Sequence, residues 1–232
     1  MLKKISIRKI YISILAMFAM SLIYLIPDTR PNLEIKENLE YVSNEVQKSD
    51  IFLIDQSSYV ALTEVPTKEK DIIEKAKSLI KILTVGRMNS KVPSGFSAIL
   101  PPDTEILNIS FENSVLKVDF SKEILEIDKD LEEKMIESLV YTLTSIEKVE
   151  RIIIYVEGDI LTKLPKTKIN LPSTLDRSFG INKEFNLTST QNITDVTVYY
   201  INQIKGNYYY VPVTKYMNTL DDKVNVVIEQ LI

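Results

Sequence analysis

Apolar residues recur at helical spacing in two long stretches, and between them the pattern changes to the alternation of strands. Over residues 67–84, Ile72, Ile73, Ala76, Leu79, Ile80 and Leu83 form one stripe with lysines on the other side. The spacing predicts a helix from Thr67 to Thr84, with Thr67 after Pro66 as its N-cap. A second stripe, Leu131, Met135, Leu139, Val140, Leu143 and Ile146, predicts a helix over 128–146, opened by Asp130 and Glu133 at capping-box spacing. Ahead of the first helix, "IFLID" and "SYVALTEVP" are short strand-forming runs split by polar "QSS", a hairpin pattern. Between the helices, strands are expected at about 97–100, 105–111 and 114–120, with "ENS" as a turn. In the last of these, Leu116, Val118 and Phe120 point one way and Val115, Lys117 and Asp119 the other. "RIIIYVEG" after the second helix does not alternate, which predicts a buried central strand.

This order predicts an α+β fold: a small mixed sheet with two helices packed on one face, occupying residues 50–158. Residues 159–193 are polar and carry two prolines, and read as a connector. From 194 the pattern begins again, because "DVTVYYINQIKGNYYYVPVT" resembles "SDIFLIDQSSYVALTEVPT" as far as its Val-Pro pair. Thr219 and Asp222 then supply a capping box, and Val224, Val227, Ile228 and Leu231 an apolar stripe. Residues 194–232 are therefore expected to be the start of a second copy, incomplete because the sequence stops inside this helix.

The N-terminus follows a different rule. Lys3, Lys4, Arg8 and Lys9 precede an uncharged, mostly apolar run from Ile10 to Ile26. At 1.5 Å per residue the run spans roughly 25 Å, so residues 1–27 are expected to be a basic tail and membrane anchor. The basic flank leaves the N-terminus in the cytoplasm and the remainder outside. A cleaved signal peptide, with secretion of the rest, is the alternative. Residues 28–49, where Ile35, Leu39, Val42 and Val46 fall at helical spacing, read as a juxtamembrane stalk or as a spacer without regular structure.

Composition removes most chemistry. The 232 residues contain no histidine and no cysteine, which excludes His-based nucleophilic sets, the usual zinc ligands, disulfides and acylation at cysteine. A net charge of −4 with dispersed basic residues leaves no footprint for nucleic acid. Five glycines supply no phosphate-cradling loop. Three groups remain for inspection. Asp119, Glu123, Glu126, Asp128, Asp130, Glu132 and Glu133 could form an acid/base pair or a calcium site, or simply a solvated helix start that complements the helix dipole. "SGFS", Ser94 to Ser97, lacks nucleophile-elbow spacing and reads as a loop entering a strand. Tyrosines 199, 200, 208, 209 and 210 could bind a glycan or a partner, or be cross-strand pairs of a hairpin. No catalytic, cofactor-binding or metal-ligating residue is assigned, and no cofactor is expected.

"SGFSAILPPDTEIL", "VLKVDFSKEIL", "SLVYTLTSIEKVERIIIYVEG" and the duplication resemble the GerM-type domain of bacterial sporulation and spore-germination proteins. The matching positions are Leu100, Pro101, Thr104, Val118, Asp119, Phe120, Ser121, Thr142, Leu143 and Gly158. The resemblance implies tandem domains that are membrane-anchored or lipidated and similar to the ring-building modules of secretion systems and of the mother-cell-to-forespore channel. It therefore implies a non-enzymatic envelope protein that works by self-association or by association with other envelope proteins. The alternative is a monomeric envelope module that binds peptidoglycan or a sensor protein.

Overall fold

The computed structural model describes residues 7–24 and 47–219, and the chain divides into two units, residues 1–44 and 45–232. In the first unit, helix α1 runs from Ile7 to Tyr24. Its 18 residues extend about 27 Å, and Arg8 and Lys9 occupy the first turn, so the uncharged part is shorter still. Among the described residues no helix is long and apolar enough to cross a membrane. Leu25 and Ile26 of the expected anchor lie outside the described residues, as do residues 28–46 of the expected stalk.

The second unit keeps the α+β class but divides its strands between two sheets. Strands β1 (Lys48–Asp55) and β2 (Val60–Pro66) form the expected hairpin, and β1 starts at Lys48, inside the segment read as stalk. Helix α2 (Ile72–Leu83) matches its stripe but is shorter than the expected span from Thr67 to Thr84, because Thr67 is not its cap. Thr67 still belongs to the sheet end: its N–H donates to the Gln47 carbonyl at 2.8 Å and its hydroxyl bonds Ser49 Oγ at 2.7 Å. Asp71 caps instead, accepting from the Glu74 N–H. Strand β3 is only Phe96–Ser97, paired to the end of β1. Ile99 and Leu100, expected to continue it, turn away to donate to the Leu83 carbonyl at the end of α2.

The other sheet has the order β4 (Ile106–Glu112), β5 (Val115–Phe120), β6 (Arg151–Val156), β7 (Asp159–Ile160). Asn113 and Ser114 both have positive φ, 51° and 61°, which makes the β4–β5 turn the tight two-residue kind whose twist suits a hairpin. Leu116, Val118 and Phe120 are buried, as their alternation predicted. β5 and β6 are parallel, joined by a crossover through helix α3 (Glu132–Leu143). β6 is an inner strand, yet only Ile152 and Ile154 are fully covered and its other face is partly open. The expected capping box of α3 is absent: Leu131 occupies the cap position with no side-chain bond, and Glu133 reaches Lys183 instead.

Helix α3 lies against β1. Thr142 Oγ1 accepts from the Phe52 N–H at 2.9 Å and Ser138 Oγ donates to the Phe52 carbonyl at 2.6 Å, so two hydroxyls buried in the helix face find partners on the strand. Phe52 and Tyr141 meet edge to face at 5.3 Å.

Residues after Ile160 do more than connect. Leu164, Leu171, Leu175 and Ile181 are buried in the same core as α2 and α3, and Leu175 exchanges two 2.8 Å backbone hydrogen bonds with Ile152 of β6. The chain then forms β8 (Glu184–Asn186), β9 (Ile193–Ile204) and β10 (Asn207–Asn218). β9 and β10 pair antiparallel along their whole length, 12 paired positions against 7 in the first hairpin. This shifts the expected repeat: Pro66 pairs with Lys48 at the end of β2, whereas Pro212 pairs with Tyr199 in the middle of β10. The helix expected to follow the Thr219–Asp222 capping box, with its stripe from Val224 to Leu231, lies outside the described residues.

On its other side β10 meets β2 at Tyr210 and Leu62, then β8 at residues 215–217, with a gap between. Asn182 fills that gap. Its Nδ2 donates to the carbonyls of Val60 and Pro212, both at 2.7 Å, and its Oδ1 accepts from the Val60 N–H at 2.9 Å. Beside it, Thr214 N donates to Ile181 O and Thr214 Oγ1 accepts from Ile181 N. Asn182 has φ 46°, a conformation that asparagine tolerates better than most residues. Replacing Asn182 by alanine is expected to strand three buried backbone groups and to lower stability by about 2–4 kcal/mol in urea denaturation. A loss below about 1 kcal/mol would show that the side chain is replaceable.

Candidate functional site

The carboxylates singled out in the sequence do not converge. Asp119 Oδ1 accepts from the Gly158 N–H at 3.1 Å, tying the end of β5 to the turn after β6. Glu132, at the start of α3, is fully buried and accepts from the N–H groups of Lys166 at 2.8 Å and Thr167 at 2.6 Å. Burial alone would push its carboxyl up, but these two N–H groups, Thr167 first, outweigh it and hold it below the usual range. Glu126, Asp128 and Asp130 are exposed. Among the described residues no group of three or more potential metal ligands gathers.

The sequence did not single out the carboxylate with the most altered chemistry. Glu137 is 2% exposed. Its Oε2 accepts from the Asn182 N–H at 3.0 Å, and its Oε1 lies 4.0 Å from Lys183 Nζ. Lys183 is committed mainly to Glu133, at 2.7 Å, and sits 3.5 Å above the ring of Phe179. Two carboxylates thus share one ammonium. Burial pushes the Glu137 carboxyl up to about 7, with Asn182 and Lys183 only partly opposing it. The residue stands at i+4 from Glu133 on a helix whose other buried positions are mostly apolar, and that interruption is the only trace it leaves in the sequence.

Ser94 to Ser97 form a seat and not a nucleophile. Ser94 Oγ accepts from Lys205 Nζ at 3.1 Å. A Cβ on Gly95, where φ is 94°, would lie 2.5 Å from Ile204 Cγ2, so glycine is required for the β9–β10 turn to pack there. Phe96 meets Tyr209 edge to face at 5.0 Å.

The tyrosines divide into two kinds. Tyr209 is buried, and its hydroxyl donates to Asp55 Oδ2 at 2.9 Å, while Asp55 Oδ1 accepts from the N–H groups of Ser57 and Tyr59. Burial, then the neighbouring carboxylate, pushes its phenol up to about 12. One side chain from each hairpin is therefore bonded across the seam. Tyr199, Tyr200, Tyr208 and Tyr210 are cross-strand residues opposite Pro212, Val211, Gln203 and Ile201, and all four stay exposed.

The linkage of Glu137 has a definite sign. Its folded-state pKa lies above the ordinary value of 4.5, so its contribution to stability is complete below that value and is lost as pH rises toward 7. The loss amounts to at most about 3 kcal/mol. Glu132 acts in the opposite sense, so the informative quantity is the difference between the chain and its Glu137→Gln variant. Urea denaturation from pH 5 to 8 is expected to give a stability advantage for the variant that grows with pH. A pH-independent difference would contradict it.

Comparison with known proteins places this geometry. The domain family described as Germane, sporulation and spore germination, matches residues 50–162. The spore germination protein GerM of Bacillus subtilis (strain 168) is 31% identical over 189 residues, covering 78% of this chain and 50% of that protein. The chain thus spans about half the length of this curated relative. Among solved structures, the tandem GerMN domains of the sporulation protein GerM from Bacillus subtilis align with TM-score 0.72 and 28% identity, over 78% of this chain and 65% of that one. The first GerMN domain of the same protein aligns with TM-score 0.53 and 27% identity, over 57% of this chain and 98% of that one. The tandem match is consistent with the second hairpin being the start of a repeat. Residues 50–162, just under half of the chain, thus match the sporulation and spore germination domain family.

Proposed function

We propose that this is a non-enzymatic envelope protein whose GerM-type domains work by protein–protein assembly in sporulation or spore germination. The observation that carries the reading is the outer edge of β9. The strand is twelve residues long, and among the described residues only β10 lies beside it. It contains one charged residue, Asp195, and no proline or lysine, so it has few of the devices that discourage edge pairing. Ile193, Tyr199, Tyr200 and Ile201 on it are 42–66% exposed. A second assembling surface is the wet side of α2 with Lys77 and Lys81, together with Lys70 just ahead of the cap Asp71; Lys77 is paired to Glu74 at 2.9 Å. The partner is a second copy or another envelope protein. In the same reading residues 1–27 hold the chain to the membrane, 28–49 are a stalk, and residues 50–158 and 194–232 belong to successive domains joined by 159–193. Support for the membrane comes from α1, exposed along its described length and uncharged and mostly apolar beyond its basic first turn.

The absence of cysteine from the sequence makes the assembly reading directly testable. Single cysteines at Thr197, Tyr199 and Ile201 of the full chain are expected to cross-link in cells under mild oxidation, and Ile201→Lys to abolish association without unfolding. A chain that stays monomeric at every concentration would sink the assembly reading. Alanine at Glu123, Glu126 or Glu133, one at a time, is expected to leave function nearly intact; loss of function from one of them with folding and association unchanged would favour an enzyme.

Topology has its own test. A cysteine at the exposed Ser57, in the β1–β2 turn, is expected to react with an impermeant maleimide in intact cells. Reaction only after lysis would place the domains inside.

A further inference from the structure

The seam between the two hairpins opens into a cleft of about 510 Å³ that neither the hairpins nor the family match explains. It arises because β2 and β10 pair only at Leu62 and Tyr210 and then part. Continuing that register would place Thr63 opposite Tyr209 and Glu64 opposite Tyr208, yet no pairing continues there, and all four residues line the cleft instead. The opening is held from below. Tyr209 is fixed by Asp55 and Phe96, and Ile204 by Gly95, so the floor cannot close by letting β10 fall back onto β2.

The lining has a particular chemistry. Tyr208 and Tyr210 project on one face of β10, as residues two apart on a strand must, and are 75% and 50% exposed. Leu62 and Pro93 add apolar surface, and Asn207, Thr63 and Ser94 add uncharged donors and acceptors. The formal charges on the rim leave one negative charge over: Lys48 is bonded to Glu64 at 2.9 Å, and Asp50 carries the other carboxylate of the lining. A lining with one cation and two anions gives no purchase to a phosphate or an acidic peptide. Exposed aromatic rings beside hydroxyls, an amide and carboxylates suit a ligand with apolar ring faces and many hydroxyl groups.

We propose that this cleft binds a neutral oligosaccharide, with Tyr208 and Tyr210 as the stacking platform and Asn207, Asp50 and Glu64 as hydrogen-bonding groups toward its hydroxyls. The volume lies in the range of ordinary small-ligand sites and accommodates a few sugar units. The site is separate from the β9 edge, so it stands or falls without the assembly reading.

The test is titration of the full chain in detergent with tetrasaccharides of N-acetylglucosamine and of glucose, followed by amide chemical shifts and by calorimetry. At least one is expected to bind, with the largest shifts at Leu62, Thr63 and residues 207–210. Tyr208→Ala and Tyr210→Ala are each expected to weaken that binding tenfold or more with the fold unchanged, because both rings are exposed. Tyr200→Ala, on the opposite face of the hairpin, is expected to leave it within twofold. No saturable binding of either saccharide at millimolar concentration would overturn the proposal. So would an extended Val-Thr peptide that shifts the same residues while neither saccharide does, since the parted strands would then be a peptide slot.

Discussion

Everything on the far side of β2 depends on a backbone problem. A strand that is central to a sheet must have both of its edges satisfied, and β10 cannot manage this alone: its neighbour changes from β2 to β8, and proline occupies position 212 between them. Asn182 solves it by acting as a one-residue strand, offering an amide donor to two carbonyls and a carbonyl to one N–H. A proline that would be wrong in the interior of a ladder is acceptable here, because what faces its position is a side chain and not another strand. The arrangement needs the backbone of Asn182 held in turn, and the Glu137 carboxylate does so from α3. One chain of contacts therefore runs from the crossover helix of the first half to the hairpin of the second.

That dependence explains what could be read from the sequence and what could not. Periodicity located both long helices, the alternation of β5 and the existence of each hairpin, because a helix stripe and a strand face are local consequences of burial. The helix starts were misplaced for a tertiary reason: Thr67 was engaged with Gln47 and Ser49, and Glu133 with Lys183, so neither was available to cap. The twelve-residue length of the second hairpin was hidden by the Val-Pro pair, which suggested a shorter match. Asn182 left no signal at all. A polar residue in a polar segment looks like solvent-facing loop until the three groups it joins are brought together from residues 60, 137 and 212.

The candidate chemistry was legible mainly by exclusion. Absence of histidine and cysteine removes most nucleophilic and metal-binding sets before any fold is known, and the acidic stretch from Asp119 to Glu133 disperses once folded because its members lie on a strand end, a turn and a helix start. What remains distinctive is at the seams: Glu137 under the connector, and the tyrosines where the hairpins meet. Neither feature could be found by motif. Glu137 is unusual because of its burial and Tyr209 because of the one carboxylate it reaches, and both are properties of the packed chain.

The boundary of the family match and the boundary of the core do not coincide. The match ends at residue 162, but Leu164, Leu171, Leu175 and Ile181 complete the core beneath α2 and α3, and Leu175 supplies the backbone partner of Ile152. Fully burying a leucine or isoleucine side chain stabilises by roughly 1.5–3 kcal/mol, so four such residues rival the net stability of a small domain. The segment that looks like a linker by composition is thus part of the first folding unit by energetics. Residues 181–184 within it are the ones that receive the second hairpin. A chain built this way cannot place its second half freely: the connector is already spent on the core of the first half, and the position of β10 follows from where that connector emerges.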